Sequence, residues 1–145
     1  MDVLLAIQRE ASLAAFAHIF PPERQAYPDD ELRTAWRVAL ADPEVEVYVA
    51  ERGGVPVGSV SVGGEFLRTL YVLPSHWRGG VGSALHDHAL GRLRARGQRR
   101  ARLWTLEENR PGRRFYEKRG WTVSAETRVV PFPPNPIDVQ YVKEL

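Results

Sequence analysis

The sequence predicts an α/β fold, a mixed central β-sheet flanked by helices, in a single domain spanning residues 1–145. Three observations predict it. Apolar residues over the first 40 positions recur at helical spacing, and from Glu46 the period changes to β-rich runs broken by glycine turns. Strand, loop, helix and strand then follow one another between residues 66 and 106. Finally, 145 residues with 43% hydrophobic and 26% charged side chains suffice for one core and not for a second independent one.

In chain order, Val3, Leu4, Ile7, Leu13, Phe16 and Ile19 predict a helix over residues 3–19, ended by Pro21 and Pro22. A second helix runs from Asp29 to Leu40 with Asp29 or Asp30 as N-cap and Leu32, Trp36, Val38 and Leu40 as its apolar contacts. These two helices occupy residues 1–40. The runs EVYVAE and VPVGSVSV, joined by RGG, predict a β-hairpin in which Gly58 marks a bulge. FLRTLYVL is a third strand ending at Pro74, and a helix follows from Gly80 to Arg96 with Gly97 as its left-handed C-terminal stop. RARLWTL is a strand, and Pro111 to Arg119 is a short helix with proline at its start and Gly120 just past its end. Trp121 to Val130 is a strand, PFPPNP a stiff loop, and IDVQYVKEL returns as a final edge strand.

Composition excludes several function classes. The chain has no cysteine, which removes disulfides, thiol nucleophiles and thiolate metal sites together. A formal charge of +2 is too small to point to nucleic acid. No run approaches the roughly 18 apolar residues of a membrane span, and the Met-Asp start lacks a basic leader, so a cytoplasmic protein is expected. His86-Asp87-His88 resembles a metal cluster, but residues i and i+2 of a helix point apart, so no metal is expected there. Six arginines between Arg92 and Arg102 are scattered by helix and strand geometry and read as a solvated surface.

The chemistry concentrates in LYVLPSHWRGGVGSAL, residues 70–85, where a glycine-rich loop joins a strand end to a helix start. Backbone N–H groups at a helix start are unpaired and carry the positive end of the helix dipole, which suits a phosphate or pyrophosphate. Gly79, Gly80 and Gly82 let the backbone approach such an anion, and Arg78 adds a charge-assisted bond. The same loop also serves as an ordinary tight turn. It is neither a Rossmann nor a Walker fingerprint, which argues against nucleotide hydrolysis.

VLPSHWRGGVG, residues 72–82, resembles the central motif of the GNAT superfamily of N-acetyltransferases, V-x-P-x-x-Q/R-x-x-G-x-G/A, with Gly80 and Gly82 in register. Trp77 stands where that family usually has Gln or Arg. A second segment, ENRPGRRFYEKRGW at residues 108–121, resembles the family's N-x-x-x-x-x-(F/L)-Y-E-x-x-G-(F/W) pattern. The resemblance covers residues 45–145 and, more loosely, the two leading helices. It implies a strongly bent sheet, with residues 45–145 as the acetyl-CoA-binding core and 1–40 as the acceptor side. Family members usually open with a strand before the first helix, so either the sheet is one edge strand short or the native start lies upstream.

By this resemblance acetyl-CoA is the co-substrate. Its pantetheine arm pairs with the main chain of Leu70, Tyr71 and Val72, splayed from the neighbouring strand by a bulge, and its pyrophosphate is held by Arg78, Gly79, Gly80, Val81, Gly82 and Ser83. Asn109 and Tyr116, seven residues apart and thus on nearly one helical face, face the thiol. Tyr116 resembles the family's general acid, a neutral phenol able to protonate the departing thiolate; the alternative is a core tyrosine. Relatives that acetylate protein N-termini often carry a glutamate five residues before the asparagine, where this chain has Trp104. Glu65 lies one residue before the strand glutamate of histone-type relatives and is the candidate general base acting through water; the alternative is a solvated turn carboxylate. Glu107 and Glu108 read as helix-entry charges. Phe20, Tyr27 and Trp36 line the acceptor pocket on the same analogy.

The expected reaction is direct acetyl transfer to a primary amine, on a small molecule or a peptide, in a ternary complex formed by a monomer or homodimer. Absence of cysteine and of a convincing Ser-His-Asp set leaves the ternary-complex route as the natural one. Two rivals remain: a non-catalytic acyl-CoA-binding module on the same fold, and a structural domain whose glycine loop holds nothing.

Overall fold

A computed structural model describes residues 1–21, 23 and 26–145. The expected helix stop at Pro22 lies outside the described residues. The elements are α1 (Asp2–Phe16), α2 (Asp29–Ala41), β1 (Val45–Arg52), β2 (Val55–Gly63), β3 (Phe66–Val72), α3 (Val81–Ala95), β4 (Arg100–Leu106), α4 (Arg110–Glu117), β5 (Thr122–Val129) and β6 (Ile137–Glu144), with a 3-10 turn at Pro74–His76. The strands form one mixed sheet in the order β1-β2-β3-β4-β6-β5. All neighbours are antiparallel except β3 and β4, which run parallel across the α3 crossover.

One face of the sheet packs on α3. Val60, Val62 and Leu67 from the strands meet Val81, Leu85, Ala89 and Leu93 from the helix, all buried. Burying each such side chain contributes about 1.5–3 kcal/mol, which makes this interface the main source of cohesion. The opposite face carries α1 and α2, where Leu4, Trp36 and Ala39 form a smaller cluster against Val45 and Val47. Leu4, Ile7, Gln8 and Ala11 are the buried stripe of α1, spaced as one helical face.

Several expected details are corrected. The helix expected to reach residue 19 ends at Phe16. Residue Pro28, not Asp29 or Asp30, caps α2, and Asp29, Asp30 and Glu31 fill its first turn, where the helix dipole favours acids. Val38 and Leu40 are exposed, because Trp36 and Ala39, three residues apart, define the buried face. The hairpin bulge falls at Val57, since Ala50 faces Gly58 while Glu51 faces Pro56. Gly58 is required for a different reason: a Cβ there would stand 2.9 Å from the Tyr71 carbonyl and from Leu85 Cδ1. The last strand, β6, is not an edge strand but lies between β4 and β5, leaving β5 at the edge.

Candidate active site

The sheet opens where its one parallel pair meets. β3 and β4 are bridged only at Phe66 and Arg102, supported by the Arg102 N–H donating to the Glu65 carbonyl at 2.9 Å. Beyond that point the strands separate. An extra residue in β3, Arg68, creates a bulge against β2, because Ser61 faces Thr69 while Val62 faces Leu67. The gap forms a cavity of about 930 Å3 whose lining includes Leu70, Tyr71, Trp104, Asn109, Tyr116 and Asp138.

Main-chain direction decides what the gap offers. The Tyr71 carbonyl points at β2, as its closeness to Gly58 shows, so alternation along the strand turns the main-chain groups of Leu70 and Val72 toward β4. Tyr71 therefore reaches the cavity through its side chain rather than its backbone. The Val72 carbonyl accepts a hydrogen bond from the Trp77 indole N–H at 2.8 Å. Trp77 thus ties the glycine loop to the strand end.

That loop ends in the N-terminus of α3. Arg78 and Gly80 both have left-handed backbone, with φ of 65° and 86°, and Gly80 is the N-cap with no side-chain cap of its own. Alternating handedness of this kind turns successive N–H groups into an anion-binding concavity. Val81, Gly82 and Ser83 follow as the first helical turn, and their N–H groups lack helical acceptors. Two cations reach the loop from distant elements: Arg52 donates to the Gly79 carbonyl at 3.0 Å, and Arg119 donates to Ser83 Oγ while stacking on Phe115 at 3.6 Å. Neither was visible in the sequence as a site residue, since only register and packing bring them to residues 79–83. A basic residue ending β1 and one within the second motif are the signals the sequence carries.

Tyr71 and Tyr116 both line the cavity. Tyr116, on α4, is buried, and burial together with the neighbouring Tyr71 raises its pKa above that of a free phenol. Among the described residues its hydroxyl has no hydrogen-bond partner. Burial likewise raises the pKa of Tyr71; its hydroxyl accepts from Gln8 Nε2 at 3.2 Å, while Gln8 Oε1 accepts from the Trp36 indole at 2.7 Å. Trp36 is therefore a buried support of Gln8 and does not line the cavity, whereas Phe20 and Tyr27 do. Asn109 is the N-cap of α4: its Oδ1 accepts from the Gly112 N–H at 3.2 Å and its Nδ2 donates to Thr105 Oγ1 at 3.2 Å. Asn109 and Tyr116 share the cavity wall, although Asn109 stands just outside the helix.

The carboxylates are distributed differently from the expectation. Glu65 pairs with Arg102 at 2.6 Å, just before β3, and is not among the residues lining the cavity. Asp138, which the sequence did not single out, lines it from β6. His86 is buried, its Nε2 accepting from the Trp121 indole N–H at 2.9 Å and its Nδ1 bonded to Asp87 at 3.0 Å; burial lowers its pKa. His88 instead packs edge-on against Tyr48, so the two imidazoles diverge. No helix among the described residues is long and apolar enough to cross a membrane.

A mixed sheet split between its parallel strands, with a glycine-rich helix start at the mouth of the split, is the arrangement of an acyl-CoA N-acyltransferase fold. The model of the acetyltransferase (GNAT) family matches residues 10–121, and the chain belongs to that family. A curated relative, a probable N-acetyltransferase of Mycobacterium tuberculosis, is 27% identical over 115 residues, which is 71% of this chain and 56% of the relative. The chain thus spans just over half the length of that protein. Among solved structures, PaiA N-acetyltransferase from Thermoplasma acidophilum in complex with coenzyme A superposes with a TM-score of 0.75 at 19% identity, covering 99% of this chain and 92% of that one. The apo form of YjaB from Escherichia coli gives a TM-score of 0.73 at 24% identity, covering 97% and 88%. At these identities the structures establish the fold.

Proposed function

We propose that the chain binds acetyl-CoA in the gap between β3 and β4 and transfers the acetyl group directly to a primary amine entering from the α1 and α2 side. The observation that carries this reading is the joint one: an unpaired strand edge at Leu70 and Val72, leading from the anion-binding start of α3 to a buried, protonated Tyr116. The donor fits the residues present. The Leu70 main chain and the Val72 N–H are free to pair with the amides of a pantetheine arm. N–H groups from Gly80 to Ser83, with Arg52, Arg78 and Arg119, suit a pyrophosphate. Asn109 fixes the start of α4 and so the position of Tyr116.

Acetyl-CoA supplies the acyl group in activated, thioester form. A lysine-like ammonium must first give up a proton, which at pH 7 costs ~4.6 kcal/mol for an unperturbed amine. The neutral amine nitrogen then attacks the thioester carbonyl; the new C–N bond forms and the C–S bond breaks. Tyr116 gives its phenolic proton to the departing sulfur, and the nitrogen's second proton restores the phenol, so the net release is one proton per turnover. This step requires a neutral Tyr116, which a phenol is at pH 7, and burial raises its pKa further.

Tyr116→Phe is expected to lower kcat tenfold or more while acetyl-CoA affinity changes by less than threefold, read by thiol release and by calorimetry. Unchanged kcat in that variant would remove Tyr116 from the mechanism. Proton release by Tyr71, another phenol lining the cavity, would then be the step to test.

A further inference from the structure

We infer that the acceptor is a monoamine on an aromatic or branched apolar body, and that its ammonium group is received by Asp138. This rests on the acetyltransferase reading above and deepens it. On the α1 and α2 side the cavity is walled by Phe16, Phe20, Tyr27, Leu32, Trp104 and Phe132, drawn from α1, the α1–α2 connection, α2, β4 and the β5–β6 loop. Such a wall accommodates an apolar body of about the size of a phenyl ring or a leucine side chain; a hydrated sugar or a polyamine chain would lose water against it, with Gln8, Ser12 and Glu31 the polar side chains, beside the Tyr27 phenol, that line that side among the described residues.

Charge selects the same class. Among the described residues lining the cavity only Asp138 and Glu31 are carboxylates, and Glu31 lies exposed on α2, whereas Arg68 and Arg128 are cationic. A ligand carrying several ammonium groups would leave most of them unpaired. Asp138 is built as a receptor. It is buried, directly opposite Arg128 across the β5–β6 ladder, and its Oδ2 accepts from Arg128 Nε at 3.0 Å. The Arg128 guanidinium lies over the Trp104 ring at 4.4 Å and is half exposed, so water screens it while Asp138 is shielded. Oδ1 has no partner among the described residues. An ammonium donor in the cavity completes it, and its apolar body then lies toward the aromatic wall.

The test combines an acceptor panel with one substitution. Acetyl-CoA affinity is measured first by calorimetry; thiol release is then followed with 2-phenylethylamine, isoamylamine, spermidine and kanamycin. The expected result is a kcat/KM for one of the two apolar monoamines at least tenfold above spermidine and kanamycin. Asp138→Asn should raise the KM for that amine at least tenfold, with acetyl-CoA affinity and melting temperature nearly unchanged. As a charge-specific readout, 2-phenylethanol should inhibit wild type and Asp138→Asn equally, which a merely structural loss would not allow. Preference for spermidine or kanamycin, or an unchanged KM in Asp138→Asn, would overturn the inference. Tight acetyl-CoA binding with no turnover of either apolar amine would overturn it too while leaving the donor site standing. Absence of acetyl-CoA binding would instead overturn the acetyltransferase reading itself.

Discussion

At the scale of single residues, chemistry that depends on local sequence was legible and chemistry that depends on register was not. Gly80 and Gly82 stand at the start of α3 within a motif whose spacing marks them, and Tyr116 likewise sits in a segment whose spacing marks it. Asp138 carries no such mark: it becomes a cavity residue only because β6 inserts between β4 and β5 and places it opposite Leu106 and Arg128. Glu65 shows the reverse, a carboxylate at a suggestive position that Arg102 engages at 2.6 Å.

His86 likewise reads as half of a metal cluster, yet the Trp121 N–H can only donate, so Nε2 must stay unprotonated. Its folded-state pKa lies below the unfolded value near 6.5, so the stability it contributes is present above about pH 6.5 and lost as pH falls toward the depressed folded value. Thermal melts at pH 7.5 and 5.5 should show a drop of a few degrees on acidification in the wild type. The drop should be smaller in His86→Gln, which keeps an acceptor but cannot titrate. Parallel drops in the two proteins would show that His86 is not the titrating group.

At the scale of elements, helix and strand identity followed from period, while ends and edges did not. Helix α1 stops at Phe16 rather than Ile19, and β6 is interior rather than an edge; neither follows from a pattern of apolar residues, because both are set by what packs alongside. The loop before α3 is the element in which sequence and strain bear on each other most directly. Arg78 holds a left-handed backbone that an arginine adopts at a cost of about 1 kcal/mol, a conformation retained where the surrounding structure or a ligand demands it. Arg78→Gly relieves that strain and removes a cation. We expect it to leave the melting temperature equal or higher while weakening acetyl-CoA binding three- to tenfold. A variant that binds acetyl-CoA as well as wild type would show that the charge has no part in holding the phosphates.

At the scale of the molecule, the account turns on one break in the sheet. The sequence predicts six strands, with β1 and β2 as a hairpin and β3 and β4 on either side of a helix, but the separation of β3 from β4 is a long-range property, which local pattern does not encode. It arises from a bulge at Arg68 and a single bridge at Phe66, and it became an expectation only through the resemblance of two motifs to a family with a split sheet. The small net charge of +2 matters less than its placement, with Arg52, Arg78 and Arg119 gathered at one mouth of the split.

The measurement that tests this most directly is isothermal titration of the full chain with acetyl-CoA, with CoA and ATP as controls. Micromolar binding of acetyl-CoA and of CoA, with ATP at least tenfold weaker, is the predicted result, because the gap recognises the pantetheine arm as well as the phosphates. Binding of ATP as tight as that of acetyl-CoA would reduce the site to an anion-binding helix start, and no binding of either CoA species would contradict the account.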